Sequence, residues 1–317
     1  MEAAVVYDLK QPPCWRSFPE PTPTVGEVLI RVRAAGLHPI VKALASGSHY
    51  SSTAEVPMVA GIDGVGTRPD GIRVFFGGPR KPWGTMAQRC AAAQSMCVPL
   101  PDGIDDLQAA AIGNPGMSAW LSLKERAALQ SGETVLILGA TGVAGHLAIQ
   151  AARHLGARRI LAAGRNVDSL SGENVDAIIA LDQPEDDLRE AFLAESGKGI
   201  DVIIDYLWGR PTEILLECLA RGFNPKAARA TRLVEVGESA GKTISLPGAT
   251  LRSIDLKLMG SGFGSVPVEK ILSAVSTFFD LAAARILQVD VVPVPIKDVE
   301  SAWTRVEKGR RIVFTLE

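Results

Sequence analysis

Surplus positive charge is missing from this 317-residue chain: 33 Lys and Arg stand against 35 Asp and Glu, a formal charge of −2. A chain so balanced has no reservoir of positive potential for a phosphate backbone, so no nucleic-acid partner is expected. Cysteine is scarce. The four thiols, at 14, 90, 97 and 218, form no CxxC pair, which argues against a disulfide framework and suits reduced thiols in a cytoplasmic compartment. Long apolar runs are absent too. The most hydrophobic stretches reach about half a membrane span before Gly or charge interrupts them, so no bilayer-crossing segment is expected. The opening MEAAVVYDLK places acids early and has no apolar core, unlike a secretory signal.

What is present is an ordinary globular composition, 47% hydrophobic and 21% charged, at a length that predicts two domains. Up to about residue 118 the chain reads as short strands separated by Pro and Gly: Ala3–Tyr7, Glu27–Ala34, Ile72–Phe76 and Met86–Cys90, with one short helix over Ile104–Ala111. Beyond Trp120 the pattern changes. Fully apolar runs at Thr134–Leu138, Arg159–Ala163, Ala177–Ala180, Asp201–Tyr206, Leu233–Val236 and Leu256–Met259 alternate with helical segments, including Val143–Leu155, Glu185–Glu195 and Thr212–Arg221. That alternation predicts a parallel sheet covered on both faces. A helix over Val268–Ala284 and two further strands close the chain, the last predicted to rejoin the first domain. The architecture expected is α/β: a β-rich domain from residues 1–118 and 265–317, interrupted by a doubly wound domain over 119–264.

The most informative stretch is TVLILGATGVAGHLAIQAARHLGA. Strand, glycine turn and helix follow without a gap, and Gly139, Gly142 and Gly145 meet three physical needs. The chain must turn tightly, its backbone must approach a pyrophosphate, and the helix must pack closely on the strand. Free amides and the dipole at the helix start then hold phosphate, so Gly139, Ala140, Thr141, Gly142, Val143, Ala144 and Gly145 are predicted to bind a dinucleotide. The next strand ends in Gly164-Arg165-Asn166, where an NAD enzyme would place a carboxylate for the ribose 2′-OH. Arg165 instead offers a fork of donors suited to a 2′-phosphate, which favours NADPH/NADP.

At this point the sequence resembles the medium-chain dehydrogenase/reductase superfamily, in its zinc-free quinone oxidoreductase branch. EVLIRVRAAGLHP looks like the strand that leads into that family's substrate cleft, and VPMVAGIDGVG is similar to its P-x-x-x-G-x-D-x-x-G motif. LQSGETVLILGATGVAGHLAIQAARHLGA resembles the cofactor segment; LVEVGESAG with LPGATLRSIDLKLMGSGFGS resembles the last two cofactor-domain strands and their loop. The resemblance implies a GroES-like catalytic domain made from both chain ends, a Rossmann cofactor domain, and a homodimer. It implies hydride transfer from NADPH to a small-molecule quinone or α,β-unsaturated carbonyl.

Departures from the pattern are informative. The zinc-dependent relatives need a Gly-His-Glu motif where this chain has Gly61-Ile62-Asp63, and four clustered thiolates where only Cys90 and Cys97 are near. No metal is expected. The family's Asn-Pro-x-Asp step reads His38-Pro39-Ile40-Val41, and an extra basic stretch, GFNPKAARATR, precedes the fifth cofactor-domain strand. Two catalytic candidates follow: Tyr50, whose phenol can donate to a carbonyl, and His38, whose pKa suits proton transfer. A rim position for Tyr50 and a structural hydrogen bond for His38 are their ordinary alternatives. Asn114, Leu207, Gly237, Glu238, Gly262 and Phe263 are expected near the nicotinamide, by resemblance or by lying past carboxyl ends of strands. Two other activities stay open. An enoyl-thioester reductase would need a basic entrance, for which Arg80 and Lys81 are available. A sensor or scaffold would bind NADPH without turnover.

Overall fold

The structure is a computed structural model, describing residues 1–53, 55–221 and 230–316. Residues 222–229, most of the extra basic stretch, lie outside the described residues. The chain divides into two compact units, Met1–Met117 with Leu272–Glu317, and Ser118–Ile271.

In the second unit the strands are Thr134–Leu138, Arg159–Gly164, Ala177–Ala180, Val202–Asp205, Thr231–Glu235 and Leu256–Gly260. Numbered in that order, they lie side by side as 3-2-1-4-5-6, every neighbouring pair parallel. This is the Rossmann order, with its reversal of winding between strands one and four. The two central strands explain the unbroken apolar runs. Val135–Leu138 and Val202–Ile204 are wholly buried, covered by helices that include Val143–His154, Glu185–Ser196 and Gly209–Arg221. Leu136, Leu138, Phe192, Ile203, Leu215 and Leu233 belong to one core there.

The first unit is built around the long strand Glu27–Gly36, which pairs antiparallel with Asp63–Thr67, Arg89–Ala93 and Arg310–Thr315. Its alternation is plain: Ile30, Val32 and Ala34 are buried while Arg31 and Arg33 face outward. The closing strand Arg310–Thr315 also pairs parallel with Asp290–Pro295, so strands from the early and the last parts of the chain share one sheet. Ile30, Phe76, Met86 and Phe314 meet in its core.

Two local expectations are corrected. The strand predicted over Met86–Cys90 runs instead over Arg89–Ala93. Met86 and Gln88 are spent on the N-terminal strand, where the Ala4 amide donates to the Met86 carbonyl and the Gln88 amide to that of Glu2. The helix predicted over Ile104–Ala111 begins at Asp106 and continues through Pro115 to Leu121. A proline inside a helix costs about 3 kcal/mol through its missing amide and ring clash. Burial of Ala109–Ile112 before it and Ala119–Leu121 after it offsets that cost.

Candidate functional site

The second unit carries the glycine turn at the carboxyl end of its first strand. Gly139 has a left-handed backbone, φ +85°, which only glycine adopts readily. A methyl group there would sit 3.1 Å from Leu207 and 3.2 Å from Tyr206, so the turn also lies close against the chain leaving strand four. The Gly139 and Ala140 amides both donate to the Ala163 carbonyl at 2.9 Å, tying the turn to strand two. Gly142 is the N-cap of the helix Val143–His154. Helical bonding starts with the His146 amide on the Gly142 carbonyl, so the amides of Val143, Ala144 and Gly145 lie ahead of the first such bond. Among the described residues no side chain caps them. A Cβ on Gly145 would collide with the Gly139 carbonyl and Ala140, and one on Gly164 with Thr141. Gly139–Gly145 and Gly164 thus form one tightly closed turn whose amide donors lack side-chain competitors, and that fits a diphosphate.

Arg165 and Asn166 follow strand two and are exposed. No ion pair of Arg165 occurs among the described residues, and Asp168, the nearest acid along the chain, belongs to the following 3-10 turn. Gly237 and Glu238 follow strand five, and a Cβ on Gly237 would lie 3.2 Å from the Tyr206 carbonyl. The structure therefore brings Gly139 and Gly237 against the Tyr206–Leu207 segment. Gly262 and Phe263 lie exposed just past strand six.

Sequence reading missed the acids at this sheet end. Asp205 is fully buried; its Oδ1 accepts the Leu207 and Trp208 amides at 2.8 and 2.9 Å, and its Oδ2 the Thr212 hydroxyl at 2.6 Å. Burial raises its pKa against those hydrogen bonds. Glu235, its neighbour across the sheet, is also raised, by burial and by repulsion from Asp205 and Glu238. The available signal was a carboxylate ending an apolar strand, VIID.

In the first unit, His38 is completely buried, its Nε2 3.3 Å from Oδ1 of Asp63. Burial lowers its pKa, opposed by the Asp63 charge. The Arg311 guanidinium donates to the Leu37 carbonyl at 2.8 Å, and burial pulls its pKa down to about 10. Tyr50 is 86% exposed, its ring 4.2 Å from that of His49. Asn114 is half-buried inside the helix Asp106–Leu121. Arg80 and Lys81 are engaged by the protein: Arg80 pairs with Glu27 and covers the Trp83 ring, and Lys81 donates to Thr53 at 2.9 Å. Among the described residues, no three His, Cys, Asp or Glu side chains gather in an arrangement able to hold a metal ion.

No family model matches the chain. It is 25% identical to a probable NADPH-dependent quinone reductase of Emericella nidulans, over 99% of each chain. A solved structure of the quinone oxidoreductase of Thermus thermophilus, also studied in complex with NADPH, superposes over all of both chains with a TM-score of 0.81 and 27% identity. These likenesses place the chain's resemblance in the medium-chain dehydrogenase/reductase superfamily. Within the superfamily its likeness is to the quinone oxidoreductases. It is also 30% identical, over 85% of its length, to part of the phenolphthiocerol synthesis polyketide synthase of Mycobacterium marinum, and spans only 13% of that protein.

Proposed function

We propose that this chain is a zinc-independent oxidoreductase that uses NADPH to reduce a quinone or an α,β-unsaturated carbonyl. The observation carrying the proposal is the closed turn Gly139–Gly145 with its uncapped amides, followed on the next strand by an exposed arginine where an NAD enzyme needs an acid. When bound, the cofactor supplies the hydride. The chain's own groups do the rest. The amides of Val143, Ala144 and Gly145 hold the diphosphate; Arg165 donates to the 2′-phosphate. Leu207, Gly237, Glu238, Gly262, Phe263 and Asn114 are the proposed nicotinamide neighbours. Tyr50 donates a hydrogen bond to the substrate carbonyl, where negative charge develops. His38, sealed beside Asp63, is proposed to position the backbone of its loop.

The test is oxidation of NADPH by a panel of quinones and enones. Turnover with at least one of them is expected; saturable binding without oxidation would convert the protein into a sensor. The polyketide synthase likeness favours an enoyl thioester as the second substrate class, and it belongs in the same panel. A homodimer is proposed through strand Leu256–Gly260, which ends the six-stranded order and carries the exposed Leu258, to be read by sedimentation velocity. Among the described residues no helix is long and apolar enough to cross a membrane, and all four cysteines are free, which supports a reducing cytoplasmic setting.

A further inference from the structure

On the outer face of the first unit's sheet lies an open cavity of about 810 Å³, lined by four arginines, Arg31, Arg33, Arg68 and Arg89, and one carboxylate, Asp106. Its construction is electrostatically unusual. Arg31 stands directly opposite Arg89 across the antiparallel pair, with Thr67 opposite on its other side. Like charges in such facing positions repel and destabilise a sheet unless a counter-charge lies between them. The chain supplies counter-charges only in part. Glu20 takes one end of Arg89 with both oxygens at 2.6 Å, Asp70 takes Arg68 at 2.7 Å, and Asp106 is shared between Arg33 and Arg73. Arg31 has no ion pair among the described residues, and Arg68 Nε is buried without an acceptor.

We propose that this cavity binds a phosphate monoester with an apolar tail. Guanidinium forks arriving from two strands and from the turn after Asp63–Thr67 suit a tetrahedral group with three peripheral oxygens better than a planar carboxylate. The volume far exceeds one phosphate, and Leu29, Leu107 and Leu316 line the remainder, giving an aliphatic or aromatic tail a place to lie. The site lies wholly in the first unit and owes nothing to the nucleotide reading of the second.

Calorimetric titration of the full chain at low ionic strength, with excess NADP present, tests it using hexyl phosphate, inorganic phosphate and hexanoate. Hexyl phosphate should bind saturably and at least tenfold more tightly than hexanoate, and Arg31→Gln should weaken it tenfold or more while leaving NADPH affinity unchanged. Arg68→Gln is the second variant and should do the same. Inorganic phosphate as tight as the ester, and equally lost in Arg31→Gln, would assign the phosphate group alone as the ligand and keep the site. Hexanoate binding as tightly as the ester, unsaturable heats, or an ester affinity unmoved by both variants would overturn it. Should NADP itself fail to bind, the Arg31→Gln comparison still reads this cavity, because Arg31 is no part of the glycine turn.

Discussion

Under the proposed function, cofactor choice turns on Arg165. Charge-assisted hydrogen bonds to a phosphate contribute about 1.5–3 kcal/mol, so Arg165→Ala should weaken NADPH by roughly 10- to 100-fold and NADH hardly at all. Equal losses by fluorescence titration would remove it from the role. Tyr50 is exposed enough to meet a substrate, and Tyr50→Phe should lower kcat several-fold with little change in NADPH affinity. His38 makes a pH prediction. Its folded pKa is lowered by burial, so on acidification the unfolded chain takes up the proton first. Stability is then full above 6.5, the ordinary histidine value, and falls as pH drops below it toward the folded pKa. His38→Gln should flatten that acid-side loss in thermal melts recorded from pH 8 to 5. At this scale the sequence announced His38 and Tyr50 as chemical types. It did not announce their exposures, which depend on what packs over a residue and leave no local trace.

Among the elements, the strand–turn–helix around Gly139 was legible because three constraints fall within a few residues of one another: an apolar strand, glycines at fixed offsets and an amphipathic helix. Gly145→Val should therefore fail twice. The added side chain meets the Gly139 carbonyl and Ala140 backbone, costing about 1–3 kcal/mol as overpacking, and the displaced helix start loses its grip on phosphate. A lowered melting temperature together with lost NADPH binding is expected; full binding would mean the helix can retreat without consequence. Less legible was the helix Asp106–Leu121. Read locally, Asn114-Pro115-Gly116 is a turn. In the fold, burial of Ala109–Ile112 on one side and Ala119–Leu121 on the other carries the helix through it, and that tertiary burial is invisible to a window a few residues wide. Strand Arg89–Ala93 was displaced for a related reason, since Met86–Gln88 answer hydrogen bonds from a partner some eighty residues away.

For the whole molecule, the alternation of buried strands and helices conveyed the parallel sheet, and its order of 3-2-1-4-5-6 puts the glycine turn beside the point where the winding reverses. The arginine cavity was not legible: its members are scattered from position 31 to 89 and converge only through strand register. The proposed zinc-independence is tested at this scale as well. With no ligand cluster of three among the described residues, prolonged dialysis against a chelator should leave NADPH oxidation undiminished, whereas activity lost to chelator and restored by zinc would reveal a metal site. The central claim is that the Gly139–Gly145 turn holds a nicotinamide dinucleotide phosphate, and isothermal calorimetry of NADPH against the folded chain tests it most directly. One saturable site per chain, tighter for NADPH than for NADH, is the predicted result; no heat of binding with either nucleotide would contradict it.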